Sequence, residues 1–136
     1  MGGYGELMEA AKRARKFAYA PYSRFTVGAA LLASDGRVYA GCNVESASYT
    51  PTCCAERVAF FKAVSEGERE FEAIAIAGGP QDGPAGECPP CGVCRQVMEE
   101  FCAPASFRII LISGERLKSL TLGELLPLGF GPKNLS

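Results

Sequence analysis

Histidine is absent from all 136 residues, and that absence excludes more chemistry than any single motif introduces. Without it there is no Ser-His-Asp triad, no imidazole metal ligand and no imidazole base. An excess of one charge is also lacking. The 14 basic and 15 acidic side chains leave a net charge of −1, which supplies no global field for a polyanion. The one basic cluster, Lys12, Arg13, Arg15 and Lys16, falls near the end of an expected helix and reads as a solvated helix end, where cations complement the dipole. No nucleic-acid partner is expected. The longest nearly continuous apolar run, Val27 to Ala33, is far short of the ~20 residues a membrane span needs. The first residues lack the basic-then-apolar pattern of a secretory signal, and Glu6 stands where an acylation signal has Ser or Thr, so no membrane association is expected.

Cysteine, by contrast, is abundant. Seven cysteines without a secretory signal argue for a reducing, cytoplasmic setting and for thiols that are metal-bound or buried rather than paired in disulfides. The length suits one domain spanning 1–136, with room for a real core.

Apolar positions Leu7, Ala11, Ala14 and Ala18 predict a first helix over 5–19, stopped by Pro21. Phe25 to Ala33 and Arg37 to Val44 read as an antiparallel hairpin across Ser34-Asp35-Gly36. A helix is expected from about Thr52 to Ser65, capped by Thr50 or Thr52. A third strand is expected over 71–77, and a loop rich in Gly and Pro leads from it to a helix from Cys91 to about Cys102. Phe107 to Ile112 reads as a buried strand and Arg116 to Leu120 as a weaker one. Thr121 and Glu124 then have the spacing of a capping box for a short last helix. The alternation of strand and helix implies βαβ crossovers, hence an α/β fold: a three-layer α/β/α sandwich around a mixed sheet of about five strands.

Two stretches carry the chemistry: Thr52-Cys53-Cys54-Ala55-Glu56-Arg57 and Pro89-Pro90-Cys91-Gly92-Val93-Cys94-Arg95-Gln96. Each opens a helix, and helix starts gather ligands just past strand ends. Cys91 and Cys94, three apart, share one helix face, and backbone N–H groups at a helix start stabilise thiolates. Cys88 repeats the interval but lies behind two prolines, in the loop. With Cys54, preferred to Cys53 because it leaves Glu56 two residues on, the pair would fill three corners of a zinc tetrahedron and Glu56 would sit beside the open fourth corner. Zinc lowers the pKa of its water from ~15.7 to about 7, and a nearby carboxylate can shuttle the released proton to a leaving group. Three thiolates on Zn²⁺ leave a net negative site, which Arg57 or Arg95 could offset by hydrogen-bonding a thiolate. Other readings stay open on spacing alone. Cys53 or Cys88 could close a four-sulfur structural zinc site, the CxxC could be a redox pair, and seven cysteines admit an iron–sulfur cluster.

Cys54-Ala55-Glu56-Arg57 together with Pro90-Cys91-Gly92-Val93-Cys94-Arg95-Gln96 resembles the zinc-dependent cytidine deaminases, in particular their small homotetrameric group. Tyr19-Ala20-Pro21-Tyr22-Ser23, the Phe25 to Leu31 strand, Gly41-Cys42-Asn43-Val44-Glu45 and Glu124-Leu125-Leu126-Pro127 extend the likeness over nearly the whole chain. The resemblance implies hydrolytic deamination of cytidine and 2′-deoxycytidine in pyrimidine salvage, with zinc on Cys54, Cys91 and Cys94 and with Glu56 as proton shuttle. It further implies that Asn43 and Glu45 hold the ribose hydroxyls, that Phe25 packs on the base and that main-chain groups near Ala55 and Pro90 hold the base edge. Phe130, Ala47 and Tyr49 would serve a neighbouring subunit's pocket in a homotetramer. Two alternatives go with it: a related deaminase of a modified cytosine nucleoside such as blasticidin S, and a non-catalytic structural-zinc module.

Overall fold

Small side chains on one face of the sheet and large ones on the other decide how the layers stack. The computed structural model describes residues 2–136. In chain order, helix α1 (Gly2–Ala14) runs into a 3₁₀ turn (Arg15–Phe17), followed by strands β1 (Phe25–Ala33) and β2 (Val38–Cys42) and helix α2 (Ala55–Ser65). Strand β3 (Phe71–Pro80), helix α3 (Gly92–Phe101), strands β4 (Arg108–Ser113) and β5 (Arg116–Thr121), the short helix α4 (Leu122–Leu125) and a 3₁₀ turn (Pro132–Asn134) complete it. The five strands form one sheet in the order β2-β1-β3-β4-β5. The β1 pairings with β2 and β3 and the β4–β5 pairing are antiparallel, and only β3–β4 is parallel. The expected three-layer mixed sheet is therefore present.

The period-2 alternation of strands sorts the core. Ala30, Ala73, Ala75 and Ala77 face α1 with Ile110 and Ile112, whereas Leu31, Ile74, Ile76, Ile109 and Leu111 face α2 and α3. The alanine face lets α1 settle almost onto the backbone of β1. A Cβ on Gly28 would stand 2.0 Å from the Ala11 carbonyl oxygen. On the opposite face Phe60 of α2 stacks with Phe101 of α3 at 6.2 Å and meets Phe71 and Phe107 at 5.2 and 6.0 Å. These aromatic contacts fix the two helices relative to each other and to the sheet.

The elements match expectation with shifted ends. The first helix gives way to the 3₁₀ turn at Arg15, and the chain is extended by Ala18. The third strand runs on to Pro80, past the expected 77, because Gly78 and Gly79 pair with Val27 and Thr26 of β1. Helix α2 starts later than expected: Cys54, not Thr50 or Thr52, is its N-cap, and the Thr52 hydroxyl accepts from the Ser46 N–H at 3.0 Å instead. Helix α3 likewise starts at Gly92 with Cys91 as N-cap. The capping box of Thr121 and Glu124 is present.

Topology brings the two long helix starts together. Strands β2 and β3 both end where β1 begins, and α2 and α3 each start at that same end of the sheet. Gly41 sets how close α2 comes, since a Cβ there would lie 2.5 Å from the Ala55 carbonyl oxygen and 2.6 Å from the Ala59 nitrogen. Gly41→Ala should therefore lift the first turn of α2. We expect a loss of about 1–3 kcal/mol in urea-induced unfolding, together with less zinc bound per chain. Gly5→Ala, in α1 with nothing within 4 Å of its added methyl, is the control and should be neutral or stabilising by about 0.5–1 kcal/mol.

Candidate metal centre and substrate face

Both helix starts present a cysteine where a helix ordinarily places Ser, Thr, Asp or Asn. Cys54 and Cys91 are the N-caps of α2 and α3, and neither side chain makes a capping hydrogen bond. The first N–H groups of each helix have no intrahelical acceptor, so two positive helix ends face these sulfurs. Cys94 follows in the first turn of α3 and is buried. The sulfurs of Cys54, Cys91 and Cys94 all lie within 4.8 Å of one another, and Cys54 and Cys91 are 3.8 Å apart. Tetrahedral zinc with Zn–S bonds near 2.3 Å separates its sulfurs by about 3.8 Å, so the donor set and its spacing fit the ion.

Neither Cys53 nor Cys88 belongs to this cluster. Cys53 exchanges two backbone hydrogen bonds with Val44, at 2.9 Å each, and its thiol is raised by burial. The Cys88 sulfur packs against Gly78 near the Phe25 ring. Burial, with the charges of Glu56 and Cys54 adding to it, pushes that thiol up to about 11. All seven cysteines are free thiols.

Charge around the sulfurs is arranged unevenly. A hydrogen bond from Cys94 and another from Arg57 hold Cys54 toward its thiolate, while Cys94 is raised by donating that bond and by burial. The Arg57 guanidinium sits 3.4 Å from the Cys54 sulfur and 3.5 Å from the Thr52 carbonyl oxygen. Its Nε is buried without a hydrogen-bond partner. Arg95 departs from expectation: it bonds backbone, not sulfur, donating to the Pro90 carbonyl at 2.7 Å and the Leu125 carbonyl at 2.6 Å. It ties the loop before Cys91 to α4.

Glu56 is 4 % exposed, a buried carboxyl in the first turn of α2. Burial pushes it up to about 7, against its own backbone N–H; the Cys54 charge adds to the rise and Arg57 opposes it. Ala55, beside it, is fully buried.

The remaining predicted residues fall into separate places. The Asn43 amide bridges the start of β1, accepting from the Val27 N–H at 2.9 Å and donating to the Phe25 carbonyl at 2.9 Å. Glu45 accepts from the Tyr22 and Ser23 N–H groups at 3.0 and 3.1 Å and from the Ser23 hydroxyl, and these bonds, the Ser23 hydroxyl first, hold its carboxyl below the usual range. Glu45 and Tyr49 line one cavity of ≈ 380 Å³ together with Tyr22, Ser23 and Thr52. Tyr49 has φ +66 and meets Tyr22 edge-on at 6.5 Å, and Ala47 is exposed in the same turn. Phe25 is partly exposed at the start of β1. Phe130 is not brought to these residues. It lines a different cavity with Gln96 and Pro132, and the Gln96 side chain donates to its carbonyl at 2.7 Å. Sequence reasoning gave no role to Ser23. A serine two residues before a strand signals only a local turn, not a partner 22 residues away.

Comparison with known proteins agrees with this geometry. A family model described as "Cytidine and deoxycytidylate deaminase zinc-binding region" matches residues 3–108. Cytidine deaminase of Sporosarcina psychrophila is 47% identical over 96% of this chain and 93% of its own length. A probable cytidine deaminase of Dictyostelium discoideum is 42% identical over 94% and 84%. Among solved structures, cytidine deaminase from Burkholderia pseudomallei superposes with a TM-score of 0.84 at 48% identity, covering 93% of this chain and 98% of that one. The Mycobacterium tuberculosis enzyme gives 0.79 at 41%, covering 94% and 97%. Two helix starts at cysteine, the sheet that aims them and this breadth of likeness lead to one conclusion: the chain belongs to the cytidine and deoxycytidylate deaminase family, and its metal is zinc.

Proposed function

We propose that this protein, acting as one domain over 1–136, hydrolyses cytidine and 2′-deoxycytidine to the uracil nucleosides and ammonia, in cytoplasmic pyrimidine salvage. The observation that carries this reading is a cluster of three sulfurs, not four, beside a buried carboxyl two residues from one of them. A closed structural site would use four protein ligands, and a catalytic one keeps a position for water. Cys54, Cys91 and Cys94 hold the zinc, and the bound zinc supplies a water acidic enough to be a nucleophile near neutral pH.

Glu56 manages the protons, taking both in turn from the attacking water and delivering one to ring N3 and later one to the departing amine. Its burial supports the role, because a carboxyl shielded from bulk water passes protons to the substrate and not to solvent. Arg57 offsets the negative charge of three thiolates, a role its contact with the Cys54 sulfur supports. The backbone N–H of Ala55, at the start of α2 and without an intrahelical acceptor, suits the base edge. Phe25, partly exposed beside Gly78 and Cys88, suits stacking on the base.

Asn43 and Glu45 bind the sugar. Each has spare capacity after its internal bonds: one amide hydrogen on Asn43 and one acceptor position on Glu45. The assembly is a homotetramer in which Phe130, Ala47 and Tyr49 complete a neighbour's pocket. Tyr49, 72% exposed and edge-on to the exposed Tyr22, forms an apolar patch of the kind that marks an interaction site, which supports this, and Phe130 is likewise 57% exposed.

Zinc-quantified protein mixed with cytidine should show the ultraviolet change of amine replacement, and a full zinc complement without that change would overturn the reading. Glu56→Ala should keep its zinc and lose turnover by about 10²–10⁴-fold, as expected for a general acid–base. Cys91→Ser and Cys94→Ser should lose zinc, measured by atomic absorption, whereas Cys53→Ser and Cys88→Ser should keep a full complement.

A further inference from the structure

The turn before β1 is built around a side chain that none of the roles above employs. The Ser23 hydroxyl oxygen accepts the Phe25 N–H at 3.1 Å, and its single hydrogen is donated to Oε2 of Glu45. Oε1 of the same carboxylate takes the Tyr22 and Ser23 N–H groups. Three donors from two consecutive residues thus fix the carboxylate and leave one acceptor position, on the oxygen that Ser23 holds. The turn itself is pinned. Arg24 has φ +57, a left-handed conformation uncommon for a residue with a side chain. Its N–H donates to the Ala20 carbonyl at 3.0 Å, and its carbonyl accepts from the Gln81 N–H at 2.8 Å. Bonds on both sides hold Arg24 in this conformation, next to the Ser23 that bonds Glu45.

We propose that Ser23 is a positioning residue for sugar recognition: it orients Glu45 so that the remaining acceptor position meets a sugar hydroxyl. This rests on the reading of Glu45 as a sugar-binding residue given above. A carboxylate can only accept, so the contact exists only for a sugar that presents a hydroxyl there. A carboxylate already immobilised by three donors loses little rotamer freedom when that hydroxyl arrives, so the contact is stronger than one to a mobile Glu. Discrimination between sugars then depends on a serine that need not touch the substrate.

A serine that merely closed the turn would act on every ligand alike, and the choice of ligands separates the two cases. The measurement is kcat and KM for cytidine and the competition constant of 2′,3′-dideoxycytidine, on zinc-loaded wild type, Ser23→Ala and Ser23→Thr. Ser23→Ala should raise KM for cytidine about tenfold with kcat little changed, leaving the competition constant of the dideoxy compound where it was. Ser23→Thr, which keeps the hydroxyl, should restore the wild-type values. Equal weakening toward both ligands, or no weakening toward either, would overturn the proposal. Ser23→Gly, compatible with the turn, replaces Ser23→Ala if that variant does not fold, with the same outcomes expected. Wild-type protein that binds zinc but does not turn over cytidine would instead overturn the functional reading beneath it, so the two failures are distinct.

Discussion

Two helices start from cysteines whose sulfurs lie 3.8 Å apart, and the rest of the structure keeps them there. An oxygen cap on a helix start is worth about 1 kcal/mol. The N-caps Cys54 and Cys91 forgo that bond. What the sulfurs receive in its place is the field of two helix ends and, with Cys94, the geometry of a common metal. Metal–thiolate bonding outweighs the missing caps many times over, so a sequence that looks suboptimal for each helix alone is consistent for the pair.

The sheet explains how the pair is aimed. Alanines and Gly28 bring α1 onto one face, and the bulky aliphatics of the other face carry α2 and α3 on a Phe60-centred aromatic cluster. Because β1 runs against both β2 and β3, the chain leaves those two strands at the same end of the sheet, and each exit feeds a helix. Glu56 comes with α2, two residues past Cys54 in the helix's first turn, and is buried there. Asn43 and Glu45 are held differently, on loops. Asn43 is locked to the start of β1 and Glu45 to the turn at Tyr22 and Ser23, so rigidity there comes from hydrogen bonds rather than from core packing.

These two modes of construction explain what could be read from the chain beforehand. Local signals carried the metal site: the interval from Cys91 to Cys94, the offset from Cys54 to Glu56 and the apolar periods around them each concern residues within a turn or two. The same locality placed the strands and the capping box at Thr121. It failed where the deciding partner lay outside the element itself. Thr52 looked like the cap of α2, but a loop N–H at Ser46 claims its hydroxyl, and the helix starts at the sulfur. Arg95 looked like a thiolate partner, but carbonyls at Pro90 and Leu125 claim it. The two glycines after Ala77 read as the end of a strand, yet β1 pairs them through to Pro80. Ser23 carried no sign of Glu45 at all.

Hydrolysis at this site requires a metal with three protein sulfurs and one position left for water. X-ray absorption at the zinc edge of the purified protein counts neighbours by element and distance. Three sulfurs at about 2.3 Å and one lighter atom, an oxygen, is the result predicted here. Four sulfurs with no lighter neighbour would contradict it.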